Sequence, residues 1–287
     1  MTEERLGWLL CAPAVLAMLL VTAYPILYAL WLSLFEYDLR FPDRRAFIGL
    51  ENYASVLTSS VWWDAFGNTL IVTVGSVAIE LALGMLLALL MHRALFLRRT
   101  VRATILVPYG IITVVAALAW KFAFDPVTGF VNPLLGIDQP WLSERWSSFT
   151  VIILTEVWKT TPFMALLLLA GLTLVPQDLL DAAKVDGASA LQRFRHVTLP
   201  LMKPAILVAL LFRTLDAFRI FDTVFVQTRG AQGTETLSIV GYHTLITRLN
   251  LGLGSTVSVL IFVSVIALAL PFVRGLGTRL TTAGADR

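Results

Sequence analysis

The chain has 287 residues, 57% of them hydrophobic and only 14% charged, with a mean hydropathy of +0.80. Soluble domains carry about 25% charged residues, so this composition excludes an ordinary soluble protein and indicates an integral membrane protein. The net charge of +3 comes without a dense basic run, which leaves nucleic acid out as a partner and assigns the surplus to arginines in connections.

The first apolar run, Leu6–Leu34, holds no charged residue and far exceeds the apolar core of a signal peptide, about 7–15 residues, so it is read as a retained first span. It contains Pro13, Pro25 and the single cysteine, Cys11, read as a small core residue; no Cys/His spacing suits a metal. Five further runs follow: Asn68–Met91, Val101–Phe124 with Pro108, Phe149–Leu174 with Pro162, Pro204–Val226 and Ser255–Val273. Six spans of about 20 residues use about 120 residues and leave modest loops, so the expected fold is all-α, a single membrane domain over 1–287 with six transmembrane helices. The prolines mark expected kinks.

Connections on one side, which include 92–102 and 175–203, hold twelve Lys/Arg; those on the other hold seven, and three lie within spans. The positive-inside rule therefore puts both termini and these two loops in the cytoplasm of a multi-pass protein. The outer connections carry Trp62, Trp63, Trp141 and Trp146, read as an interfacial aromatic belt in the lipid bilayer.

Besides Arg102 and Lys121, near the ends of one run and counted with the connections, seven charged residues interrupt the apolar runs: Glu80, Glu156, Lys159, Arg213, Asp216, Arg219 and Asp222. A charge at mid-bilayer costs at least about 2.5–3.5 kcal/mol on insertion scales, so each needs a partner or a wet cavity. The last four form a ladder of alternating sign at steps of three, suited to i,i+3 ion pairs. On a regular helix each step drifts by roughly 60°, so the ladder winds through roughly 180°. Two readings stay open here. The charges neutralise one another and Glu156 and Lys159, or Asp216 and Arg219 line a hydrated path for a polar solute. In the second reading Phe218 or Phe221 packs on the apolar face of a sugar. Glu80 is read as paired or snorkelling rather than as part of a site.

No GxxxxGK[ST], HExxH or GxSxG occurs, and His92, His196 and His243 lie in separate connections. The sequence thus offers no P-loop, no catalytic group and no metal site.

The segment from Pro176 to Pro204 is longer and more charged than a turn requires. Asp181-Ala182-Ala183, Asp186-Gly187-Ala188 and Val197-Thr198-Leu199-Pro200 in it resemble the EAA motif of permease subunits of binding-protein-dependent ABC importers. Gly49-Leu50-Glu51-Asn52-Tyr53, Trp120-Lys121-Phe122 and Asp125-Pro126 through Gly129 to Asn132 resemble signatures of the maltose/glycerol-3-phosphate and trehalose branch of that family. Thr228-Arg229-Gly230-Ala231-Gln232 departs from the TxGGP usual there.

The resemblance implies a type I importer permease in the bacterial cell membrane, passing a sugar such as trehalose from an extracytoplasmic solute-binding protein. It implies a second, homologous permease and two ATPase subunits that bind the ATP and Mg. Asp181, Ala182 and Ala183 would form a coupling helix docked on an ATPase, with Asp186 and Ala188 flanking a sharp turn at Gly187, and Pro200 ending a second short helix. It also puts Glu156 and Thr160 at sugar-contacting positions, with Asp216 and Arg219, or Ala217 and Ile220, on the next span beside Arg213 and Asp222. The competing function is a self-sufficient, ion-coupled secondary transporter that uses the ladder as a relay; it lacks an inverted-repeat partner half.

Overall fold

Backbone polar groups in an apolar medium must be satisfied within their own segment, and this chain does so almost entirely with helices. The computed structural model describes residues 3–93 and 98–284. Residues 94–97, in the expected 92–102 loop, and both extreme termini lie outside the described residues.

The chain begins with α1 (Glu3–Met18) and α2 (Tyr24–Leu32), joined without interruption by a π turn over Leu19–Ala23. Pro25 has no N–H to donate, and the widened turn before it absorbs the missing bond. None of the most apolar window of this helix is buried, so Cys11 is exposed and not a core residue. Two short strands, β1 (Phe35–Glu36) and β2 (Ala46–Phe47), pair antiparallel, and Gly49 at φ +60° turns the chain into α3 (Glu51–Thr58). Asn52 Nδ2 donates to the carbonyls of Ser33 and Phe35 at 2.9 Å each, and Tyr53 Oη meets Ser33 Oγ at 2.7 Å. The Gly49–Tyr53 signature is therefore a clasp on the end of the first span.

Then come α4 (Ser60–Arg93), α5 (Arg98–Gly110), α6 (Thr113–Ala123), α7 (Val131–Leu135) and α8 (Arg145–Thr173). They are followed by α9 (Gln177–Val185), α10 (Ala190–Arg193), α11 (Leu199–Ala217), α12 (Asp222–Gln227), α13 (Leu237–Tyr242) and α14 (Leu251–Gly284). Among the described residues, four helical stretches are long and apolar enough to cross a membrane: Gly7–Leu32, Ser60–His92, Arg145–Thr173 and Leu251–Leu276. The pair Arg102–Gly110 and Thr113–Ala123, bent by 91°, makes a fifth if taken together.

Two expected spans are thus broken. The run 101–124 bends at Ile111 and Ile112, just past Pro108 and Gly110, where the Ile111 N–H falls back on the Pro108 carbonyl at 3.3 Å. The run 204–226 stops as a helix at Ala217. There Arg219 and Ile220 donate three residues back, to Asp216 and Ala217, and tighten the last turn until it ends. A further correction concerns Pro200. It does not end a helix: α10 passes through a π turn over Phe194–Thr198 straight into α11, with Leu199 N–H bonded to the Phe194 carbonyl. As at Pro25, the wider turn spares the proline a clash and a lost bond.

The chain divides into two compact units, Met1–Asp64 with Val240–Ser264, and Ala65–Ile239 with Val265–Arg287. In the first, Gly252 lies so close to the Phe35 carbonyl that no Cβ fits, and Thr256 Oγ1 donates to Ser33 O at 3.3 Å. In the second, α4, α8 and α11 close on a core of Met91, Met164, Leu168, Leu172, Met202 and Ala209. Glycines set the spacing: a Cβ at Gly84 would stand 2.8 Å from Met164 Cγ, and one at Gly171 would overlap Ala205. A second cluster, with Val72, Ile152, Ile220, Val224 and Ile239, packs against the redirected chain after α11.

The Asp125–Asn132 signature is also a folded turn. Asp125 Oδ1 accepts from the N–H groups of Thr128 and Val127 and from the Thr128 hydroxyl, which holds this carboxyl below the usual range. Asn132 donates to Gln139 O and accepts from Trp141 Nε1 at 2.7 Å. Trp62 is buried and Trp141 is tied inward, so only Trp63 and Trp146 keep the exposure of belt residues.

Candidate functional site

On α8, Glu156, Lys159 and Thr160 stand at i, i+3 and i+4, one face of the helix, and all three are buried. Facing them from α11 is Arg213, 1% exposed. Its guanidinium donates from Nε to Glu80 Oε2 (2.5 Å), from Nη2 to Glu80 Oε1 and Glu156 Oε2 (3.0 Å each), and from Nη1 to Asp216 Oδ2 (2.6 Å). Thr160 Oγ1 donates to Glu80 Oε1 at 2.8 Å, and Thr223 Oγ1, from α12, to Glu156 Oε1 at 2.5 Å. One cation therefore ties together carboxylates from α4, α8 and α11. Such a group is held by its partners: removing one side of a buried pair costs about 3–5 kcal/mol, because the charge left behind has no water.

Above this cluster lies a cavity of about 440 Å³, within the usual range for small-molecule sites. Glu156, Lys159 and Thr160 form its floor, Asp216, Arg219 and Asp222 its rim, and Tyr109 and Phe221 supply aromatic wall. The break after Ala217 is what turns Arg219 and Asp222 toward it, since an unbroken α11 would have carried them on around the helix.

Several expectations need correction. Phe218 is fully buried and packs edge-on against Phe66, with centroids 6.0 Å apart, so it does not line the cavity; Phe221 does. Arg213 lies behind the cavity rather than in its wall. Within the ladder only Arg213–Asp216 forms an ion pair among the described residues; Arg219 instead donates to the Leu215 carbonyl at 3.3 Å. Of the alternative pair, Ala217 is buried away and Ile220 reaches the lining. Glu80 is paired and fully buried. Tyr109 and Thr113 reach the cavity on either side of the α5–α6 bend, which Pro108 alone hinted at, and Thr223 gave no signal in the sequence.

The 177–198 segment is built as a surface. Helix α9 has no buried residue, and Asp181, Ala182 and Asp186 point outward. Gly187 adopts φ +80°, which lets the Ala188 N–H close on the Ala183 carbonyl at 2.9 Å. Ser189 and Gln192 form a reciprocal capping box that starts α10, a signal carried by the sequence itself. Arg193 Nη1 donates to the Ala188 carbonyl at 2.7 Å and fixes the turn.

A family model described as binding-protein-dependent transport system inner membrane component matches residues 80–280. The trehalose transport system permease protein SugA of Mycobacterium tuberculosis is 53% identical over 277 residues, 96% of this chain and 90% of that one. The trehalose/maltose transport system permease protein MalF of Thermococcus litoralis is 38% identical over 280 residues, 95% of this chain and 94% of its own. Among solved structures, a chain of a bacterial ABC transporter involved in import of the acidic polysaccharide alginate superposes with a TM-score of 0.81 at 21% identity, over 96% of this chain and 97% of that one. A chain of the MetNI methionine ABC transporter gives 0.58 at 22% identity, over 79% and 98%. At these identities the structural likenesses show the fold.

Proposed function

The chain belongs to the inner membrane component family of binding-protein-dependent transport systems, and we propose that it is the permease subunit of an ATP-driven importer of trehalose or a closely related disaccharide. What carries this reading is a polar, aromatic-walled cavity of disaccharide scale in a chain 53% identical to a trehalose permease. The chain works as one membrane domain with both termini in the cytoplasm. Its partners are a second, homologous permease, two ATPase subunits that bind ATP and Mg, and an extracytoplasmic solute-binding protein. A periplasmic protein in complex with the alginate transporter supports the last of these.

Glu156, Thr160, Asp216, Arg219 and Asp222 form the sugar pathway, with Arg213 organising them from behind. Asp181, Ala182, Ala183, Asp186, Gly187 and Ala188 form the face that an ATPase grips. Pro200 lies in the rod between the two regions. That rod, the unbroken helical path from Ala190 to Ala217, is roughly 40 Å long at 1.5 Å per residue and ends at the Arg213 cluster. Closure of the ATPases would displace its outer end, and the cavity would feel the shift through Arg213 and Asp216.

The test is uptake of labelled trehalose into liposomes holding the whole complex, with the solute-binding protein on the outward side. Accumulation that requires both ATP and the binding protein is expected. Uptake by this chain alone, driven by an ion gradient, would overturn the reading in favour of secondary transport.

A further inference from the structure

We propose that Lys159 is the specificity-determining donor of the cavity and that it selects an uncharged sugar by holding one of that sugar's oxygens. This rests on the sugar-import reading and deepens it. Lys159 is 9% exposed, and among the described residues its ammonium, a triple donor, has no hydrogen-bond acceptor and no carboxylate within ion-pair distance. It stands 5.5 Å from the centroid of the Tyr109 ring, which offers attraction but takes up no N–H. The ammonium opens onto the cavity, so a ligand oxygen that enters there can take up its N–H groups and shield them from water.

The neighbouring oxygens face elsewhere: those of Glu156 meet Arg213 and Thr223, and the Thr160 hydroxyl points its one proton to Glu80 or to the Glu156 carbonyl. The free donor thus sits deep, while the carboxylates that can accept from hydroxyls, Asp216 and Asp222, lie at the rim. A molecule matching both needs acceptors at its leading end and donors at its sides, as a polyol has. Charge narrows the class further. Glu156, Asp216 and Asp222 outnumber Lys159 and Arg219 by one in the lining, and Glu80 and Arg213 cancel behind it. A sugar phosphate, sulfonate or uronate would add a charge of the sign already in excess.

The experiment compares wild-type, Lys159→Met and Lys159→Arg complexes in liposomes, each given saturating binding protein loaded with trehalose or one of its monodeoxy analogues. The same binding protein serves all three, so its own preferences cancel in the ratios. A buried donor left without its partner rejects the ligand strongly, so wild type should lose about tenfold or more of its uptake for the analogue lacking the oxygen at Lys159. Lys159→Met should be impaired on trehalose itself and show less than about twofold discrimination at that one position, having already lost the interaction. Lys159→Arg, which keeps a cationic donor, should retain the discrimination and covers the case in which Lys159→Met fails to assemble. Full discrimination at every position in Lys159→Met, or its absence in both wild type and Lys159→Arg, overturns the proposal. A wild-type complex that imports no uncharged sugar at all defeats the sugar-import reading instead.

Discussion

Arg213 is the residue on which the site is hung. Replacing it with Gln should leave Glu80 and Glu156 buried without a cation and cost about 3–5 kcal/mol, which thermal unfolding in detergent would register as a large drop in midpoint. Asp216 behaves differently because its side chain is 68% exposed. Asp216→Ala should leave the melting temperature close to wild type and impair trehalose uptake, whereas Glu80→Gln should chiefly lower the melting temperature. Loss of stability in Asp216→Ala with uptake intact would remove that carboxylate from the pathway. The sequence announced that these charges needed partners, since a lone charge in an apolar run is too costly to leave alone. It did not announce which ones. The Arg213–Glu80 bond joins residues 133 apart, and no local periodicity reports a contact of that range. Phe218 is hidden for the same reason: beside a ladder it has the look of a cavity wall, whereas its buried ring packs edge-on against Phe66, far back along the chain.

The elements were legible where sterics are local and hidden where a helix can yield. Four of the six long apolar runs correspond to helices able to cross a membrane, and Gly187 in a charged insert marks the turn. Its φ of +80° and its N–H bond to the Lys184 carbonyl are both denied to proline. Gly187→Pro should therefore abolish uptake while the protein still reaches the membrane, and Asp181→Lys, which reverses the outward charge of α9, should do the same. Fractionation and uptake together check this, and normal transport by both variants would sink the coupling assignment. Gly171→Val should instead prevent α8 from closing on α11 at Ala205 and deplete folded protein in detergent extracts. The breaks were less readable because proline has two outcomes in a helix. Pro108 precedes a 91° bend, yet Pro25 and Pro200 are absorbed by π turns and the helix goes on. A glycine, Gly110, follows Pro108 by two residues at the bend, whereas a π turn precedes Pro25 and Pro200.

At the scale of the molecule, composition alone declared a membrane protein, but it could not rank the spans by position. Arg145–Thr173 has 61% of its most apolar window buried, Ser60–His92 has 33%, Leu251–Leu276 has 17% and Gly7–Leu32 none. The outermost helices in this ranking keep apolar surface that lipid or a second permease can cover. Mild-detergent purification by a tag on this chain is expected to bring down a second permease and an ATPase; recovery of this chain alone would argue against an obligate complex. The span of the Arg213–Glu80 bond also bears on how the protein is made. At roughly 5–20 residues per second, the ribosome takes roughly 7–27 s to reach Arg213 after Glu80. Glu156 follows later, 57 residues before Arg213, so for the last roughly 3–11 s two acidic helices precede the arginine that pairs with both. Nascent chains arrested before Leu199 should accordingly remain protease-sensitive around α4 and α8, and resist cleavage once α11 has emerged.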